Sequence, residues 1–201
     1  MNVKAPKPRR PHGELKPLVI NLAEEIVEGE GLGGLNARRL ALAADCSVGT
    51  LYNLFGHLDG IVRAVNMSSI AMLGQALQQA VDAAPEDPEQ RLIAMADTYF
   101  DFATQHPHRW ETMFRFRSET DDDASMTEAQ ERLFVLLRSA VGGQLEDNVL
   151  RAMWAAVHGV AELAINRHLS GVVAGTERDY ARLIVMAGLR GIAALKEEGK
   201  I

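Results

Sequence analysis

The chain has 201 residues, 47% of them apolar and 24% charged, with a net charge of −6. That balance is globular and the chain is long enough to bury a core without staples, which excludes disorder and collagen-like repeats. A single cysteine, Cys46, excludes a disulfide framework and a multi-cysteine zinc site. It fits a reducing interior, so the cytoplasm is the expected compartment. No uncharged apolar run approaches the ~18 residues of a membrane span; the longest, Ala155 to Ile165, contains His158 and Glu162. The first residues carry Lys, Pro and Arg without an apolar stretch, which reads as no secretory signal. Residues 1–17 hold five basic side chains against Glu14 alone, so a basic tip precedes an acidic remainder.

Residues 1–12, with three of the seven prolines, read as a flexible basic arm. From Glu14 to Glu28, Leu15, Leu18, Val19, Leu22, Ile26 and Val27 recur at helical spacing, and the glycines from Gly29 onward end the pattern. Asn36 caps a short helix over Ala37 to Ala44, and Ser47 caps a second that runs to Phe55. After Gly56 a long helix covers Leu58 to Ala83, ended by Ala84-Pro85. A helix follows from Pro88 to Gln105, and Pro107 opens another up to about Arg117. Asp121 to Asp123 form a solvated loop before a helix that ends at Gly142-Gly143. Two long helices close the chain, about Leu145 to Leu169 and Glu177 to Glu198. Strand alternation and hairpin dipeptides are lacking, so the predicted class is all-α with about nine helices.

The informative stretch is Asn36 to Val65: short helix, three-residue turn, short helix, glycine break, long helix. Two short helices so joined make a helix-turn-helix, whose second helix enters the major groove of double-stranded DNA. Leu40, Ala41, Ala44, Val48, Leu51, Leu54 and Phe55 supply its small core. Ala44 suits close approach, although the turn lacks the usual glycine. Val48, Gly49, Thr50, Tyr52 and Asn53 are left toward the outside. Asn53 can pair with an adenine edge, Thr50 offers a hydroxyl and a methyl, and Tyr52 suits a phosphate oxygen. Ser47 and the backbone N–H groups at the helix start suit a phosphate.

The run Ala41 to Phe55 resembles the DNA-binding signature of TetR/AcrR-type transcriptional regulators. Pro11-His12-Gly13-Glu14-Leu15-Lys16 is similar to the segment that opens the first helix in one branch of them. His106-Pro107 with Met113-Phe114, then Trp154 to His158-Gly159, resembles that branch's WHG-type C-terminal domain. The resemblance implies a homodimer with a helix-turn-helix head (residues 13–57) and a ligand-binding and dimerisation body (58–201). A partly apolar small-molecule effector in the body changes the spacing of the heads and releases a palindromic operator. It places DNA contacts on Thr50, Tyr52 and Asn53, and phosphate contacts on Asn36 and the start of the long helix. It also pairs the last two helices across the two-fold. Their stripes are Leu150, Trp154, Val157, Ala161 and Leu163, and Tyr180, Leu183, Ile184, Ala187 and Ile192. One position departs: the lysine usual at the start of the long helix is Leu58, so a phosphate contact is lost or taken over in part by His57. One contact fewer lowers the salt slope by roughly 1. The basic arm offers a replacement in a minor groove or on phosphates.

For the effector pocket the expected lining is Phe100, Trp110, Met113, Phe114, Trp154 and His158, with ordinary core as the competing reading for each. His106 and His108, two apart without a third ligand, make no metal site. Cys46 reads as a packed thiol rather than a redox switch. No phosphate loop, nucleophile elbow or zinc-protease motif points to an enzyme, and no cofactor is expected. The alternative function is a helical ligand-binding or interaction protein whose DNA binding is weak or lost, which Leu58 and the net charge favour.

Overall fold

The computed structural model describes residues 12–116, 124–143, 145–168 and 177–199. These form nine α-helices and no strand: α1 (His12–Glu30), α2 (Ala37–Ala43), α3 (Val48–Phe55), α4 (Leu58–Ala83), α5 (Pro88–Gln105), α6 (Pro107–Arg115), α7 (Ala124–Ala140), α8 (Asp147–Ile165) and α9 (Glu177–Glu197). The basic arm up to Pro11 and the Asp121 to Asp123 loop lie outside the described residues. The first helix starts at His12 rather than Glu14, and a short 3₁₀ turn, Leu32–Gly34, stands in the glycine-rich break.

Capping explains most boundaries. Asn36, Ser47 and Asp87 each accept a hydrogen bond from the backbone N–H three residues on, at 2.9, 3.1 and 2.9 Å. Pro88 and Pro107 occupy first-turn positions where no intrahelical N–H is needed.

Two apolar cores divide within α4. Ile61, Val62 and Val65 pack with Leu15, Val19, Ala23, Ile26, Val27, Leu35, Leu40, Ala41, Ala44 and Leu51 to make the head core. From Leu73 onward α4 belongs to a larger body core with α5, α6, α7, α8 and α9. Arg182 of α9 clamps Asp97 of α5 with two bonds, and Arg178 bonds Asp101 one turn away.

The last two helices use their apolar stripes differently from expectation. Leu150, Val157 and Ala161 are consumed by the chain's own body core, against which Trp154 and Ile184 also pack. What faces outward is Ala152, Ala155, Ala156 and Leu163 on α8, and Leu183, Ala187 and Gly191 on α9. Leu183 is 58% exposed and Leu163 42%, so a face of small and apolar groups is left without cover in the single chain. The periodicity was legible; which side of the helix meets which neighbour was not.

Candidate functional site

The turn between α2 and α3 is built by the backbone. Cys46 N–H donates to Ala41 O at 2.9 Å and Asp45 N–H to Leu42 O at 3.2 Å, the paired bonds of a Schellman motif. Asp45 takes the left-handed conformation at φ 53°, where an Asp is tolerated better than most side chains. This is how the turn manages without glycine. Ala44 is fully buried, so a larger side chain there would push the helices apart. After α3, Gly56 at φ +78° reverses the chain in a region that penalises a Cβ. Gly60 in the first turn of α4 lies under the end of α3: a Cβ there would stand 1.9 Å from Phe55 O.

Leu51 is buried in the head core, and Leu54, Phe55 and Val48 pack partly buried against it. Val48 therefore serves the core more than the outer face. Gly49, Tyr52 and Asn53 are exposed and Thr50 is partly buried. The Ser47 hydroxyl caps Thr50 N–H and lies 2.9 Å from Thr50 Oγ1, which ties those two side chains together. Asn36 is exposed, with its carbonyl oxygen spent on Arg39 N–H. His57 makes no side-chain cap and sits with its ring 6.2 Å from that of Tyr52. Leu58, in place of a lysine, packs partly buried against the head core. A cation that the sequence pattern does not single out stands nearby: Lys16 of α1 lies 5.7 Å over the Phe55 ring, at the end of α3. Burial and the Asp45 carboxylate push the Cys46 thiol up, so it stays protonated at neutral pH and is a poor nucleophile.

Head and body meet through one polar cluster. Glu28 of α1 accepts from Arg109 Nε and lies 2.8 Å from His106 Nδ1; His108 Nδ1 donates to the Glu28 carbonyl at 3.0 Å. Arg109 also reaches Ser69 of α4 and Glu24. Burial raises the Glu28 carboxyl, and the hydrogen bonds and charges of His106 and Arg109 outweigh that, so it titrates below its ordinary range. His106 and His108, unpromising as a metal site, are junction residues.

Behind α6 the body holds a cavity of about 530 Å³, the size of a small-molecule site. Its wall comes from α4 to α9 and includes Met95, Met113, Met126, Met153, Phe134 and Trp154. Met113, Phe114 and Trp154 of the expected lining are in it; Phe100, Trp110 and His158 are not. Phe100 is ordinary core. Trp110 is 1% exposed and donates its indole N–H to Glu162. His158 stacks between Trp110 and Trp154, with ring centroids at 5.2 and 5.3 Å. Its Nδ1 is 3.1 Å from the Tyr99 hydroxyl, which also accepts from the Trp154 indole. These side chains form a second layer behind the cavity wall.

Burial lowers the His158 pKa from its ordinary 6.5, and the Glu162 charge offsets only part of this. A depressed folded-state value means that His158 contributes stability above pH 6.5, lost as the pH falls through its folded-state value. His158→Phe keeps a stacking ring without the charge. Its melting temperature relative to wild type is expected to improve between about pH 7.5 and about pH 5.5. An unchanged difference would show that the imidazole titrates as it does in water.

Residues 92–187 match a family model described as the tetracyclin repressor-like C-terminal domain. An HTH-type transcriptional regulator BetI of Burkholderia ambifaria is 27% identical over 162 residues, which span 80% of this chain and 84% of that one. A solved protein of unknown function from Rhodococcus sp. RHA1 has the same fold, with a TM-score of 0.75 and 23% identity over 94% of this chain and 98% of the other. A TetR-like transcriptional regulator from Rhodococcus sp. RHA1 aligns with a TM-score of 0.63 and 19% identity, covering 92% and 99%. With the helix-turn-helix head, the helical body behind it and these likenesses together, the chain belongs to the TetR-type transcriptional regulators.

Proposed function

We propose that the protein is a ligand-responsive repressor that binds a palindromic operator as a homodimer and leaves it when a small molecule fills the body cavity. In this reading residues 13–57 bind DNA, 58–201 bind effector and dimerise, and the arm at 1–12 adds positive charge. Thr50, Tyr52 and Asn53 meet bases and phosphates, with Ser47, Gly49, Asn36 and His57 at the backbone and Val48 bracing them. The work is done beside the DNA, in the cytoplasm, without a cofactor or a chemical step. The outward face of α8 and α9 around Leu163 and Leu183 meets its two-fold copy, and its small side chains let helices approach closely.

One observation carries the reading: α6 borders both sites. Met113 and Phe114 wall the cavity, while His108 and Arg109 on the same helix hold α1 of the head. A ligand that moves α6 therefore moves the head. To turn operator occupancy from 99:1 to 1:99, it must favour the released state by about 5.5 kcal/mol in total.

The test begins with selection of sheared genomic DNA by the purified protein at near-physiological salt, followed by sequencing. One palindrome is expected. Thr50→Ala and Tyr52→Phe should then each weaken binding to it by about 5- to 30-fold with sedimentation unchanged. Wild-type affinity in both variants would refute the assignment of α3. The second reading, a helical ligand-binding protein with weak or lost DNA binding, has an observation of its own. Residues 13–57 carry three basic side chains against six acidic ones. Absence of a selected sequence, together with a shallow salt dependence, would decide for it.

A further inference from the structure

The cavity wall contains one polar side chain with an unmet need. Asn66 of α4 is 2% exposed and lines the cavity. Its Nδ2 donates to Thr112 O of α6, at a long 3.3 Å. Its Oδ1 is buried and accepts no hydrogen bond. Buried carbonyl oxygens are ordinarily paired, and an orphan is a place where the fold is incomplete on its own. Among the described residues the other such side-chain atom, Arg91 Nε, is not in the cavity wall. The Tyr99 hydroxyl, which also lines the cavity, is already engaged by Trp154 and His158.

We propose that Asn66 is the polar anchor for the effector, and that the effector is a largely apolar molecule carrying an uncharged hydrogen-bond donor, a hydroxyl or an amide N–H, that meets Asn66 Oδ1. The inference rests on the reading of the cavity as the effector site. The rest of the wall is mostly Leu, Met, Val and aromatic groups, which accept any apolar body of suitable size and set no orientation. Asn66 supplies the orientation. Its tether to Thr112 O is weak, so a small rotation about Cβ–Cγ presents Oδ1 to the cavity at little cost. The same rotation loosens the contact between α4 and α6, which places the anchor on the helix that holds the head.

Two isomers test this: 1-decanol and 1-methoxynonane have the same formula and nearly the same length, and only the first has a donor. Their binding to the full-length protein is read from tryptophan emission, since Trp154 lines the cavity. Wild type is expected to bind 1-decanol about 10-fold more tightly than its isomer, the worth of one buried hydrogen bond. Asn66→Leu, of similar volume, should bring the two within about twofold by weakening the alcohol. Equal binding of the isomers by wild type overturns the inference and leaves the cavity a ligand site. A preference for the alcohol that survives in Asn66→Leu also overturns it, because the donor then meets another group. Binding of neither isomer overturns the effector-site reading and this inference with it. Should the variant fail to fold, the comparison in wild type still decides.

Discussion

Gly60→Ala is expected to abolish measurable operator binding and to lower the melting temperature of the protein. A Cβ at this position would meet the Phe55 carbonyl oxygen at 1.9 Å, well inside any contact real atoms make, and its partner is backbone rather than a flexible side-chain tip. Relief requires the end of α3 to move by about an ångström or more, against hydrogen bonds that tolerate only ~0.3 Å. Overpacking of this kind costs about 1–3 kcal/mol, partly offset by the better helix propensity of Ala. At about 2–4 °C per kcal/mol for a chain of this size, the melting temperature falls by a few degrees. The functional loss exceeds the stability loss. Tilting α3 misplaces Thr50, Tyr52 and Asn53 together, and each lost base contact is worth about 1–3 kcal/mol. Circular dichroism and operator titration check both halves. A variant that binds like wild type would mean that α3 is not the reading element. Gly191→Ala, on the exposed face of α9, is a control for the substitution itself.

Glu28→Ala strikes the other vulnerable point. Arg109 keeps only 11% of its side chain exposed and loses its principal counter-charge, with Glu24 at 3.5 Å as the remaining carboxylate. Breaking a fully buried pair costs about 3–5 kcal/mol. Glu28 is 37% exposed, so water screens part of the interaction and about 2 kcal/mol is expected here. That corresponds to a fall of about 4–8 °C in melting temperature. Exposed Glu25, three residues earlier on the same helix, should tolerate alanine within about 0.5 kcal/mol. The junction also carries a pH signature. The Glu28 carboxyl is lowered in the folded state, so its contribution is complete above the ordinary carboxylate range and drains away as the pH falls through its folded-state value. Wild type should lose more stability than Glu28→Ala on acidification. Parallel curves would mean that the head is held to α6 by apolar contact alone.

Much of this architecture is legible in the chain because its signals are local. Asn36, Ser47, Asp87-Pro88 and Pro107 mark helix starts by chemistry confined to one turn, and the helices begin there. What could not be read depends on partners far along the chain. Glu28 and Arg109 are 81 residues apart, and each alone looks like a solvated charge. Trp110 and His158 have the composition of a pocket wall, yet only packing decides that they stand behind Trp154 rather than beside it. Asn66 lies in an otherwise unremarkable helical stretch, and its orphan oxygen is a property of its neighbours. The missing turn glycine is a milder case: Asp45 adopts the conformation that glycine would have made easy.

The division of labour within α3 has an evolutionary consequence. Leu51 anchors the helix in the head core, while Gly49, Tyr52 and Asn53 stand in solvent with little to pack against. Substitutions at such exposed positions usually change stability by no more than about 0.5 kcal/mol. Sequence preference can therefore drift, or be redesigned, with almost no charge to the fold. Leu51, Gly56 and Gly60 stay fixed as a chassis on which new operator specificities are mounted.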